Sequence, residues 1–141
     1  MGLTIDDIYD LFIWDSSYAD EEYEKRQSLG IAEASKLKNL YPFIMPTVNP
    51  REKSKSVWES CAKVVAQKTD DELMQYLGLL FEWLQDMNWQ GADIIYDRLL
   101  QIPFLQLESD YNLCLRMAEK TNDQVWIEVL KDFKIDSIKN I

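Results

Sequence analysis

The chain is predicted to fold entirely as α-helices, and three observations carry that prediction. Apolar residues recur at i, i+3, i+4 and i+7 through most of the 141 positions. Helix-start signatures of the Ser/Thr-x-x-acid kind recur along the chain. Only 4 glycines and 4 prolines are present, too little punctuation for the many turns of an all-β fold.

Each element follows in order. Thr4 caps a short helix with Asp7 at its N3 position, and Ile5, Ile8, Leu11 and Phe12 form its apolar stripe. Asp15-Ser16-Ser17 breaks that run and offers caps for a second helix near 18–38, which Gly30 is expected to kink or end. Tyr41-Pro42 and Met45-Pro46 bracket one or two helical turns. Asn49-Pro50 opens a loop running through Arg51, Lys53 and Lys55. Ser56 opens a helix with Trp58, Cys61, Ala62 and Val65 on one face. Thr69 and Glu72 form a capping box before a helix striped by Leu73, Tyr76, Leu77, Leu80 and Leu84. Asp86-Met87-Asn88 is its turn, and Asn88 is expected to cap a helix from Trp89 that carries Ala92, Ile95, Tyr96 and Leu99 and stops at Pro103. A helix near 105–119 carries Tyr111, Cys114, Leu115 and Ala118. Asn122 is expected to cap the last one, with Trp126, Val129, Leu130 and Phe133 inward.

The length suits a single domain over 1–141, with roughly two-thirds of the unfolded surface buried. Ala66-Gln67-Lys68-Thr69-Asp70-Asp71 returns as Ala118-Glu119-Lys120-Thr121-Asn122-Asp123, each copy ending one helix and starting the next. Compact antiparallel hairpins similar to paired-helix, HEAT-like repeats are therefore expected, although shared capping chemistry explains six residues nearly as well.

Composition excludes several function classes. No histidine is present, so Ser-His-Asp and Cys-His catalysis and imidazole metal sites are ruled out. A net charge of −10 and a pI near 4.4 argue against nucleic acid as the partner. The charge is segmented: the first 24 residues hold eight acids and no base, whereas 25–55 hold seven bases and two acids. The basic middle is expected to pack near the acidic start and partly neutralise it. Cys61 and Cys114 fall within apolar stripes and read as buried free thiols. Residues 1–10 have neither a basic leader nor a long apolar run, and no stretch reaches the length of a membrane span, so a cytoplasmic protein without membrane association is expected. No phosphate-cradling glycine loop occurs and no cofactor is implied.

The candidate functional residues cluster in one segment. Glu82 and Asp86 sit four apart on one expected helix, Asp93 and Asp97 four apart on the next, with a short turn between. If the helices are antiparallel, four carboxylates approach one another. A divalent-metal or carboxylate-enzyme site is the sharper reading and a solvated acidic face the favoured one. Asp86-Met87-Asn88-Trp89-Gln90-Gly91 begins like a calcium loop but departs at its fifth, eighth and twelfth positions, so a capped turn is expected instead. Phe81, Trp83, Trp89 and Tyr96 crowd the same segment. Either its helix is central and buried on most sides, which is favoured, or a tryptophan is exposed beside Glu82 and Asp86 as a contact for a basic partner. Glu82, Trp83, Asp86, Trp89, Asp93 and Asp97 are thus the candidate partner-binding residues.

Trp58-Glu59-Ser60-Cys61-Ala62-Lys63 and the run Glu82 to Ala92, with Tyr41-Pro42-Phe43-Ile44-Met45-Pro46, resemble the bacterial domain-of-unknown-function family 5071, whose core reads W-L-Q-D-x-N-W-P-G-A. Gln90 stands here in place of the proline. The similarity spans about Tyr41 to Leu100 and implies a compact helical fold related to paired-helix repeats. It supplies no catalytic residues, and some relatives resemble immunity proteins that neutralise bacterial toxins. The functional expectation is a non-enzymatic protein-binding module, in its sharpest form an immunity protein against a basic toxin domain. Carboxylate-based metal or enzyme chemistry, or a structural role within a larger assembly, are the alternatives.

Overall fold

The computed structural model describes residues 2–49 and 55–139, and among these every regular element is helical. The elements are α1 (Ile5–Phe12), α2 (Asp20–Ser35), a 3-10 turn (Tyr41–Phe43), α3 (Lys55–Ala66), α4 (Asp70–Leu73), α5 (Leu77–Glu82), α6 (Ala92–Leu100), α7 (Phe104–Lys120) and α8 (Gln124–Lys139). Further 3-10 turns at Met74–Tyr76 and Trp83–Gln85 flank α5. The basic loop expected after Asn49 falls largely on 50–54, outside the described residues; Lys55 already belongs to α3.

α1 forms as its signature predicts. Thr4 and Asp7 exchange side chain-to-amide bonds of 3.1 and 3.0 Å, satisfying two amides that the first turn would otherwise orphan. Ile8, Tyr9 and Phe12 point inward. α2 differs in two ways. Asp15 turns its carboxylate onto the Ser17 amide at 2.8 Å, and the helix starts later, behind Ala19, without a side-chain cap. Gly30 does not end it, for α2 runs on to Ser35. A Cβ there would stand 2.5 Å from Phe12 Cε1, so Gly30 is the gap through which the Phe12 ring packs on α2.

The stretch 70–85 is not the single α-helix its apolar spacing implied. α4, a 3-10 turn, α5 and a second 3-10 turn follow one another. The spacing i, i+3 is common to both helix types, so the stripe survives while the hydrogen-bond ladder shifts. In the first tightened turn Tyr76 is held in place to accept the Leu40 amide at 3.2 Å and to meet Tyr41 edge-on at 5.1 Å. That ties the segment to the 3-10 turn after α2.

α5 is the centre of the molecule. Leu77, Leu80, Phe81, Trp83 and Leu84 are all at most 1% exposed, as expected of a helix enclosed on most sides. Phe81 meets Tyr111 of α7 and Phe133 of α8 edge-on, the favoured aromatic arrangement. Trp126 Nε1 donates to the Phe81 carbonyl at 3.1 Å, and Tyr111 donates to the Leu130 carbonyl at 2.6 Å. The first bond fastens α8 to α5, and the second ties α7 to α8.

Two buried cations close the junction between α3 and α4. Lys68, 7% exposed, donates to the Ser35 and Leu37 carbonyls at 2.8 and 3.0 Å, so it caps the C-terminus of α2. Arg98 of α6, 8% exposed, donates to the Ala66 and Lys68 carbonyls at 3.2 and 2.8 Å and to Asp70 at 2.7 Å. The carbonyls orphaned at the ends of two helices are thereby satisfied by side chains far away in sequence.

The repeated hexapeptide does not mark equivalent units. In the first copy Thr69 is the cap, with Glu72 completing the box. In the second, Thr121 donates back to the Met117 carbonyl, Asn122 takes a left-handed φ of 58°, and Asp123 instead accepts the Trp126 amide at 3.1 Å. The cap is displaced by two positions, and Asn122 is not the cap the sequence implied.

Candidate functional site

The structure separates the six residues that the sequence grouped. Trp83 is fully buried, and its indole N–H donates to the Gln90 carbonyl at 3.2 Å. It is a core residue that braces the following turn, not a contact surface. Trp89 is partly buried and packs against the same core. Asp86 ends the helical stretch in an extended conformation and accepts the Asn88 amide at 2.8 Å, making a local turn.

Asn88 does not cap α6. The helix begins behind Gly91, whose φ of 86° is left-handed. A Cβ at Gly91 would lie 2.7 Å from Ala62 Cβ, and 3.1 Å from both the Trp58 carbonyl and Trp83 Cζ2. The turn from Asp86 to Gly91 thus exists to bring backbone flat against α3, a packing role in place of a calcium loop.

The carboxylates diverge as well. Glu82 is half-buried and lies near Cys114 and Asp110 of α7. Burial raises its pKa above the ordinary carboxylate value. Asp93 and Asp97 are exposed on α6. Asp93 sits in the first turn, where the helix dipole favours an anion. Asp97 lies on the side of α6 where Tyr96 donates to Asp136 at 2.5 Å, with Asp132 near. Burial and these carboxylates hold the Tyr96 phenol well above its usual range. The four-carboxylate approach is therefore corrected: Glu82 points toward α7 and Asp97 toward α8. Among the described residues no group of three or more His, Cys, Asp or Glu side chains is placed to hold a metal ion.

Both thiols are buried and free, as their stripes implied. Burial, with Glu82 and Asp110 nearby, pushes Cys114 up to about 12, and burial alone pushes Cys61 higher still. Neither is a nucleophile near neutral pH.

Ion pairing is sparse. Among the described residues Glu33, Glu59, Asp70 and Glu72 pair with a lysine or arginine, and no acid of the first 24 residues does. α1 and α2 do pack together, yet among the described residues of the basic middle no ion pair reaches the acidic start; Arg51 and Lys53 lie outside the described residues. Arg26 reaches α1 but donates to the Asp10 backbone carbonyl at 2.9 Å and lies 4.8 Å from the centre of the Tyr18 ring.

That leaves an acidic face with open leucines, which the sequence reading missed. Between α1 and α2 runs a groove of about 320 Å³ lined by Leu3, Asp7, Asp10, Leu11 and Leu29. Leu29 is 50% exposed and Leu3 38%. Leu11, expected in the inward stripe of α1, is only partly buried and lines this groove, and only the density of acids in 1–24 points to the face. A smaller hollow of about 250 Å³ lies beside Trp14, which is 55% exposed, and reaches Lys55, Glu59 and Gln90. No described helix is long and apolar enough to cross a membrane.

Comparison with protein-family models, with curated proteins and with solved structures finds no match. The resemblance to family 5071 rests on its motif residues alone.

Proposed function

We propose that this chain is a non-enzymatic binding module whose partner is a basic protein. The observation that carries the reading is the acidic start of the chain: eight acids without a base in the first 24 residues, none of them ion-paired among the described residues. Uncompensated like charge costs the fold stability, and a cationic partner removes that cost on binding. The exposed carboxylates Asp93 and Asp97 on α6 extend the same sign. Two buried free thiols suit a reducing compartment, and we place the protein in the cytoplasm.

Its sharpest form is an immunity protein. A toxin that acts on nucleic acid presents a basic surface, and an acidic inhibitor steered to that surface associates fast and covers it. Membership of family 5071, proposed on the Glu82–Ala92 motif, agrees with this form. The test is co-purification with the product of the adjacent gene. A one-to-one complex with a basic toxin domain, and loss of the toxin's activity in it, is the expected result. An adjacent metabolic operon, with no complex between the products, would overturn the immunity form.

A further inference from the structure

We infer that the groove between α1 and α2 is the docking site for a basic amphipathic segment of the partner protein. The inference rests on the basic-partner reading and names the surface that reading leaves open. Leu3, Leu11 and Leu29 give the groove an apolar lining, and Asp7 and Asp10 stand in the same wall. An occupant must offer apolar side chains to the leucines and cations to the aspartates. A helical or extended segment with Lys or Arg flanking Leu, Ile or Val meets both demands.

Charge complementarity selects this occupant over a second copy of the chain. Two molecules of net charge −10 meeting through their acidic faces would repel. Among the described residues no lysine or arginine lines the groove. Arg26 is turned to the Asp10 backbone and the Tyr18 ring, while Lys25 lines a separate hollow with Glu21, Glu24 and Ser28. Asp7 accepts the Thr4 amide with one oxygen, Oδ2. Asp10 makes no ion pair among the described residues. Leu29 lies half-exposed on a helix whose inner contacts are made by Gly30 and Ala34, so its side chain is not needed to hold α2 in place.

The experiment measures fluorescence anisotropy of a labelled lysine–leucine peptide patterned for an amphipathic helix, against a scrambled peptide of the same composition. The intact chain is expected to bind the patterned peptide about tenfold more tightly than the scrambled one, because only the former presents apolar and cationic groups together. Leu29→Lys is expected to weaken binding about tenfold without changing the melting temperature. Asp10→Asn is expected to weaken it a few-fold and to flatten its salt dependence. Equal binding of the two peptides, no binding, or unchanged affinity in Leu29→Lys each overturns the assignment. The double variant Asp93→Asn/Asp97→Asn separates this failure from that of the parent reading. If it loses binding while Leu29→Lys does not, the basic-partner reading stands and the groove falls. If the adjacent basic protein forms no complex with the chain, the parent reading falls whatever the peptide does.

Discussion

A single change at Arg98 tests how α3, α4 and α6 are joined. Its guanidinium, 8% exposed, makes three charge-assisted bonds: to the Ala66 and Lys68 carbonyls and to Asp70. Arg98→Met keeps much of the stem's bulk and removes all three. The two carbonyls at the end of α3 lose their partner, and Asp70 is left beside an apolar group. Breaking a buried ion pair from one side costs about 3–5 kcal/mol. Asp70 is 38% exposed and can rehydrate, which places the expected loss near the lower end, about 3 kcal/mol. For a chain of this length that corresponds to a fall of roughly 10 °C in melting temperature. Urea unfolding followed by tryptophan fluorescence reads it directly, since Trp83 and Trp126 are buried in the same core. Asp70→Asn in the Arg98→Met background should cost less than Asp70→Asn alone, because the pair is already broken. A loss under about 0.5 kcal/mol for Arg98→Met, the range of an ordinary surface change, would refute the account of how α3, α4 and α6 are joined.

Three further outcomes follow from the same geometry. Gly91→Ala forces a side chain into a left-handed φ and onto Ala62, and should cost roughly 2–4 kcal/mol; Gly30→Ala meets the buried Phe12 ring and Leu11 Cβ and should cost about 1–3 kcal/mol, both read by urea midpoint. Glu82 titrates above its ordinary value of 4.5 when folded, so folding is favoured in acid and that contribution is lost as the pH rises from the unfolded value through the folded one. Glu82→Gln should therefore melt higher than the parent at pH 7, and the difference should vanish below about pH 4. Cys61 and Cys114 should resist a thiol reagent in the native protein at pH 7 and react together on unfolding; rapid labelling of Cys114 in the native state would contradict its burial against α5.

Local chemistry was legible in the sequence where it is self-contained. The capping boxes at Thr4 and Thr69 need only four consecutive residues, and both form. The apolar stripes on α3, α7 and α8 correctly selected Cys61, Tyr111, Cys114, Leu130 and Phe133 for the core. Failures occurred where one signal serves two structures. Spacing of three cannot separate an α-helix from a 3-10 turn, so the interruptions around α5 were invisible. Asn88, Gly91, Asn122 and Asp123 are all competent at a helix start, and tertiary packing against Ala62 and Trp83 decided for Gly91. Gly30 reads as a break, yet what fixes it is the Phe12 ring eighteen positions earlier.

The candidate site was the least legible part, for a related reason. Carboxylates four apart share a helix face only while the helix continues, and the 3-10 turn at Trp83–Gln85 separates Glu82 from Asp86. An aromatic beside acids reads equally as a hot spot or as core, and the Trp83 bond to the Gln90 carbonyl makes it core. The groove beneath Leu29 combines residues from α1 and α2 that no local pattern joins.

The measurement that bears most directly on the proposed function is the association rate of the chain with the basic partner proposed for it, sought in the product of the adjacent gene, as a function of ionic strength by stopped-flow fluorescence. An acidic surface steering a cationic partner predicts a rate that falls about tenfold or more between low salt and physiological salt, with dissociation little changed. A rate that is flat across that range would contradict it, because binding would then owe nothing to the charge that the first 24 residues concentrate.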